Sequence, residues 1–580
     1  MQKILKSKEK YFFKLVIFLI AFIILVLKFG FRVLNPVYFD WLMLGYDTAT
    51  EFLSWEYFRQ SAWQFPIIGT MEGYAHPTVT GVGMTGAIPL LAYPFKLLRG
   101  VLPIHFQYFG WWFLMCYALQ GWLSFRLFLD AKVTENKLLA LIGAIFFMLS
   151  PPLLHRAGHI NLCSHWLLIG LVWIYFDRVS QTATLLIRTT FFVFLAAMIH
   201  QYMTAMVLGA AFAVYAQLWY KKRINGIKFL LFNALNFLLV LFLFYLNGNF
   251  LMKMEAFQNV GFSRYSANLN TFYNSQGFSS WFSARPLFVP EQYEGFAYMG
   301  VSVLFLIILS FLIALYKRFN TKIFEAETED KKNKIWKFPI IFVAWLTFMF
   351  SLSPTVGWGD KRVLLYDLSW IEFWANAFRS SGRFVWLSFY LILFAVLAYL
   401  FENQRFIEKK LTNFYKTALL SIWAILLIIQ FLDIRPLFNA HFVGDWQPYI
   451  HLAFWEKAVS EADILVMYPM YGFDYQHRLD YTNFGLVAAP CNKPITTGYF
   501  ARMNINDLWK VAATLDRALE RGELGAYSRA LFVVQPKAEM VKRFDLVLQK
   551  GLVKKFEKEG YIVFVPTALV STNQLFENNH

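Results

Sequence analysis

Apolar positions in this chain gather into long runs instead of alternating. Runs of about 18 residues, the length that crosses roughly 30 Å of hydrocarbon, recur from the N-terminus to about residue 434. The pattern predicts helices near 11–33, 103–129, 137–151, 160–177, 184–199, 202–220, 227–248, 298–316, 337–353, 384–401 and 417–434. The run TGAIPLLAYPFKLL (85–98) is also apolar, but it is short and holds Pro89 and Pro94. That favours a re-entrant or surface-lying segment over a span. After residue 435 the pattern changes. ILVMYP (464–469), RALFVVQP (529–536) and YIVFVP (561–566) are short β-like runs, while 506–522 and 537–551 have helical spacing. Strands alternating with helices predict a small α/β domain. The expected fold is a polytopic α-helical membrane protein of about 11 transmembrane helices over 1–435, with a small α/β extracytoplasmic domain over 436–580.

Composition agrees with a membrane class. Of 580 residues 58% are hydrophobic, against about half in soluble domains. Cys116 and Cys163 lie in apolar runs and Cys491 lies far downstream, so neither a disulfide framework nor a Cys-based metal site is expected. The net charge of +17 is unevenly placed: from Pro436 onward 15 basic residues balance 15 acidic ones. The excess therefore belongs to the loops between helices, which points to membrane orientation and not to nucleic acid. With 85–98 not crossing, the N-terminus, KKRINGIK (221–228), the cluster at 317–337 and ENQRFIEKK (402–410) share one side. The positive-inside rule makes that side cytoplasmic and the C-terminal domain extracytoplasmic.

On that topology the polar segments converge on the outer face: loops 34–84, 251–297 and 354–383, with PPLLHRAGH (151–159) and HQY (200–202). In the first loop Asp47, Glu51 and Trp55 are four apart and can share one helix face. Asp47 reads either as a cap on that helix or as a general base. His155 and His159 are four apart, but Arg156 stands where a zinc protease would carry glutamate, and no carboxylate set completes a metal site nearby. His165 and His200 are single histidines at helix ends. Glu294 precedes a span and reads as a substrate ligand or as a helix-dipole partner. In FRSSGR (378–383), Arg379 and Arg383 are four apart. With Ser380, Ser381 and the N–H groups of a helix start they suit a phosphate; the alternative is two arginines snorkelling to lipid headgroups.

The long first outer loop with an aspartate, the bundle of about 11 helices and the outer α/β domain resemble the GT-C superfamily of membrane glycosyltransferases. IPLLAYPFKLL, FQYFGWWFLMCYALQG, HRAGHINLCSHW, YEGFAYMGV, FRSSGRFVW, QFLDIRP and GYFARMN look like segments of a bacterial family of GT-C-type proteins. The resemblance implies an inverting transfer of sugar from a polyprenyl-phosphate-linked donor to an envelope glycan, lipid or protein. It would occur at the outer face of the bacterial cytoplasmic membrane. By that likeness Asp47, with Glu51 beside it, is catalytic. Arg379, Ser380, Ser381 and Arg383 hold the lipid phosphate, and His155, Arg156, His159 and Glu294 line the cavity. Asp47 is followed by Thr-Ala-Thr before Glu51, so the paired acids of many superfamily members are missing. A divalent metal is compatible with the superfamily but is not favoured here. The alternatives are a polymerase or ligase of polyprenyl-linked glycans, and a glycolipid flippase. Transport would place charges inside helices and repeat the fold; here the helix interiors hold few charges and no repeat is seen.

Overall fold

The computed structural model describes residues 2–251, 261–319, 338–365, 370, 375–408, 413–438, 444–470, 480–499 and 505–579. The basic cluster at 331–337 and residues 500–504 of GYFARMN lie outside them. Each of the eleven runs predicted to span is helical. Among the described residues seven helices are long and apolar enough to cross a membrane: Tyr11–Phe29, Lys137–Gly158, Gln201–Tyr220, Gly226–Leu246, Val301–Phe319, Ser381–Arg405 and Lys416–Asp433. Ile160–Phe176, Thr182–Ala197 and Phe338–Leu352 are apolar but shorter. Side chains such as Leu230, Phe237, Ile308, Phe311 and Ile425 stand exposed on these helices, an apolar surface of the kind that marks a membrane or protein contact. The fold is thus helical with a lipid-compatible exterior.

Polar side chains set several helix starts. Asn136 accepts from the N–H groups of Leu138 and Leu139, and Asn225 accepts from Lys228. His200 accepts from the Tyr202 N–H at 3.1 Å, so its role is a cap. Asp433, fully buried, accepts from the Val301 N–H at 2.8 Å and from the Tyr298 hydroxyl at 3.0 Å.

Four helices of the first quarter of the chain lead to the candidate site. α1 (Gln2–Phe29) leads into the first loop, which folds as α2 (Tyr46–Gln60). The run at 85–98 becomes α3 (Pro89–Leu97), nine residues beginning on Pro89. At 1.5 Å per residue it is about 14 Å long, too short to cross. Its Leu90 N–H donates to the Met198 carbonyl, and its Phe95 ring stacks on Tyr108 at the start of α4 (Phe109–Asp130).

The C-terminal domain holds β1 (Ile464–Tyr468), β2 (Ala530–Val534), β3 (Val553–Lys558) and β4 (Tyr561–Pro566), ordered β1-β2-β4-β3. β1 and β2 are parallel, and the other pairs are antiparallel. The sequence pattern missed β3. In VKKFEK only Val553 and Phe556 turn inward, and the lysines between them mask the strand. The expected helix at 537–551 is two five-residue helices, Ala538–Lys542 and Asp545–Gln549.

This domain is joined to the first loop. Ile495 bridges both Leu465 of β1 and Tyr74. The Ile495 N–H donates to Gly73 O, and the His76 N–H donates to Ile495 O, each at 2.8 Å. The helix Asp480–Ala488 packs on α2. There Gly485 lies against Leu53, and the Tyr57 hydroxyl reaches Lys493 O at 3.4 Å.

Candidate functional site

α2 starts at Gly45, whose extended backbone caps the helix. Asp47 sits in its first turn, where a carboxylate suits the helix dipole. Among the described residues its side chain makes no hydrogen bond to the helix's own N–H groups, so capping does not explain it. Instead Oδ2 lies 3.7 Å from Nδ1 of His159, and the side chain is 46% exposed. Glu51, one turn on and on the same face, is buried and accepts the Ile160 N–H at 3.2 Å. Its chain runs over Gly86, where an added Cβ would stand 2.1 Å from the Glu51 Cγ. Only glycine leaves room for the carboxylate there.

Facing this helix is a buried ion cluster. Arg156 donates Nη1 to Glu294 Oε2 at 2.7 Å and Nη2 to the Glu294 carbonyl at 2.6 Å. Arg383 grips the same carboxylate in a fork, with Nε to Oε2 and Nη2 to Oε1, each at 3.0 Å. The guanidinium of Arg156 lies over the Trp386 ring and that of Arg383 over the Tyr202 ring. His159 links the two halves, its Nε2 lying 4.0 Å from Glu294 Oε1.

Burial shifts these groups in different directions. Desolvation and the Glu294 charge raise Asp47 above the usual carboxylate range, and Arg383 only partly offsets them. Burial raises Glu51 further, with Asp47 adding to it. Burial pushes Glu294 upward too, but Arg156 and Arg383 outweigh it and hold that carboxyl well below its ordinary value. His159 is lowered to about 3 by burial and by Arg383, so its ring is neutral at pH 7.

The FRSSGR segment is not the simple helix start expected from its spacing. Two 3₁₀ turns, Asn376–Phe378 and Ser381–Val385, precede the α-helix that begins at Trp386. Its N–H groups are largely taken: Ser380 donates to the Tyr202 hydroxyl at 2.9 Å, and Gly382 donates to Tyr265 O at 2.9 Å. The Ser381 hydroxyl points to the carbonyls of Phe262 and Ser351, both at 3.4 Å. The two arginines part company. Arg383 is consumed by Glu294, whereas Arg379 packs its stem on Gly261 and lies over Tyr265. Among the described residues Arg379 makes no ion pair.

The structure therefore brings together Asp47, Glu51, Arg156, His159, Glu294 and Arg383, with Arg379 close enough for its charge to lower His159. His155 stands apart, boxed by Phe278 and Phe296 with ring centroids 4.9 and 4.7 Å away. His165 is buried with Nδ1 2.7 Å from the Tyr390 hydroxyl. Sequence reasoning missed Tyr202, Trp386 and Gly86, whose contacts depend on remote segments. Among the described residues no group of three or more His, Cys, Asp or Glu gathers as a metal-holding set.

A family model described as a domain of unknown function, DUF6311, matches residues 18–435. The chain belongs to the DUF6311 family. A second model, the DUF6311 C-terminal domain, matches residues 454–566. Every member of the ion cluster lies within the DUF6311 match. The seam at Ile495 ties that region to the DUF6311 C-terminal domain. A search of curated proteins returns no match to this chain.

Proposed function

We propose that this protein is a membrane glycosyltransferase that moves a sugar from a polyprenyl-phosphate-linked donor to an envelope acceptor at the outer face of the cytoplasmic membrane. The observation that carries the reading is an accessible carboxylate, Asp47, held 3.7 Å from His159 in a site whose nearby Arg379 makes no ion pair among the described residues. Asp47 takes the proton of the acceptor hydroxyl as its oxygen attacks the anomeric carbon. The bond from that carbon to the donor phosphate breaks, and the polyprenyl phosphate leaves with the electron pair. Arg379 receives the growing charge on that phosphate. His159, neutral beside Asp47, orients the carboxylate. Arg156 and Glu294 fix Arg383 in place and are positioning residues. The likeness to GT-C enzymes supports the sugar chemistry; the residues themselves support an acid and an anion site.

The test is a mass profile of envelope glycans and glycolipids from cells with the wild-type gene, no gene, or an Asp47→Asn allele that inserts normally. Loss of one sugar mass in both defective strains is expected. Normal glycans in the Asp47→Asn strain remove Asp47 as the base. Loss of a whole glycan in the null strain alone transfers the reading to a ligase or flippase.

A further inference from the structure

A β-hairpin at 355–365 takes no part in the ion cluster, and its polarity is unusual for a strand pair. Strands Thr355–Trp358 and Lys361–Leu365 run antiparallel, with Thr355 opposite Leu365 and Trp358 opposite Lys361. The first strand and the turn are firmly built. An added Cβ on Gly357 would stand 2.7 Å from the Phe288 Cβ. Asn268 grips both backbone groups of Gly359, Nδ2 donating to the carbonyl at 2.9 Å and Oδ1 accepting the N–H at 3.0 Å. The second strand is left bare. Every residue of Lys361–Leu365 is exposed, Val363, Leu364 and Leu365 each by more than half. Among the described residues no further strand lies along its outer edge.

The order of residues decides what covers this strand. A strand that packs one face on protein alternates apolar and polar positions, because successive side chains point to opposite faces. KRVLL does not alternate: both of its faces are apolar at the base and basic at the tip. The base lies at a helix end. Leu365 pairs with Thr355, three residues past the apolar helix Phe338–Leu352, whose Ile341, Trp345 and Leu346 are exposed. At about 3.3 Å per residue, Lys361 stands roughly 13 Å further along. Exposed Trp358 lies beside it, its indole donating to the Tyr273 hydroxyl at 2.7 Å, and tryptophan favours the headgroup level. A free strand edge cannot lie in hydrocarbon, but water and headgroups at the boundary satisfy it. We propose that this hairpin is a foot set in the lipid leaflet on the side of the ion cluster. Val363, Leu364 and Leu365 lie at the boundary with the acyl chains, and Lys361 and Arg362 meet the phosphates of anionic phospholipid. The assignment needs the helices to span a bilayer and is independent of the sugar chemistry above. Asn268 also donates to Gln292 Oε1 at 2.9 Å, two residues from Glu294. The foot therefore fixes the level of the Pro290–Gly295 turn against the headgroups.

The experiment uses the full chain in nanodiscs of phosphatidylcholine and phosphatidylglycerol. Cys491→Ser removes the half-buried cysteine, the other two being buried. Leu364→Cys then carries a nitrobenzoxadiazole fluorophore, with Ile308→Cys on the exposed side of its helix as the control. Nitroxide lipids should quench both fluorophores, and aqueous iodide should quench neither. Lipid quenching at Ile308 with iodide quenching at Leu364 overturns the foot and keeps the spans. Absence of lipid quenching at both positions overturns the spans and the foot together. Shielding of Leu364 from both quenchers gives the edge to a second copy of the chain and also overturns the proposal. On the unmodified chain, phosphatidylglycerol with a diazirine near its glycerol should label the peptide 355–365, so the proposal stays testable if a cysteine variant does not fold. Lys361→Glu with Arg362→Glu should cut that labelling about tenfold, while labelling by the matching phosphatidylcholine is unchanged. Equal labelling of the double variant and the unmodified chain overturns the anionic headgroup at the tip.

Discussion

Asp47 and Glu51 carry the same group four residues apart, yet their surroundings ask different things of them. Glu51 is buried against Ile160 and Gly86 and holds its proton more tightly; Asp47 faces the open side with its value raised less. A base acts only when deprotonated, so the rate should fall as pH drops through the raised Asp47 value. The acid limb of kcat/KM is expected above the ordinary aspartate value of about 3.9. Glu294 is the needed contrast. Its depressed carboxyl stabilises the fold above its unfolded value, and that stability is lost only as pH falls through the still lower folded one. Unfolding through Glu294 therefore does not mimic the acid limb. Rates and thermal unfolding measured side by side from about pH 4 to 8 check this: a flat rate, or a limb that tracks unfolding, removes Asp47. Glu294 itself is structural capital of another kind. Removing one partner of such a buried pair leaves an uncompensated charge and costs about 3–5 kcal/mol.

Between elements, the close approach of two glycines sets the register. A Cβ on Gly382 would stand 2.7 Å from the backbone nitrogen of Gly295, and one on Gly295 would stand 2.4 Å from the Ala267 Cα. These are backbone atoms, which cannot swing aside. Gly382→Ala should push the FRSSGR turns off the Pro290–Gly295 turn and misplace the Arg383 fork. Displacements near 1 Å cost about a hundredfold in rate, so a loss of that order is expected at normal membrane insertion. Activity above half of wild type would show that the contact is loose. The sequence marked these segments but not their partnership. Arg156 and Arg383 stand 138 and 89 residues from Glu294, and no local pattern records a contact across such distances. Spacing alone put Arg379 and Arg383 on one helix face; the 3₁₀ turns, which depend on the Tyr202 and Tyr265 contacts, separate their roles. Asp47 and Glu51 were legible because both lie on one helix of period 3.6.

At the scale of the whole molecule, hydrophobic runs revealed where the helices lie, because a helix able to cross a bilayer must be long and apolar by itself. Orientation is a further step that rests on charge. A reporter active only outside the cytoplasm, fused after Phe431 near the end of the Asn413–Asp433 helix, is expected to be active. An inactive fusion would place the C-terminal domain on the cytoplasmic side and dissolve the outer-face site. The seam at Ile495 bears on how the chain is made. Tyr74 and its partner Tyr499 are 425 residues apart. At about 5–20 residues per second, roughly 20 to 85 seconds of synthesis separate Tyr74 from the segment that bonds it. Until then the Gly73 carbonyl and the His76 N–H cannot make their bonds to Ile495, and α2 lacks the helix Asp480–Ala488 that packs on it. A message broken before residue 480 would thus yield a chain that carries every residue of the ion cluster but lacks the helix packed on Leu53 and its neighbours. The contacts that α2 makes with Asp480–Ala488 and the bonds of the first loop to Ile495 can thus form only on chains read past residue 495.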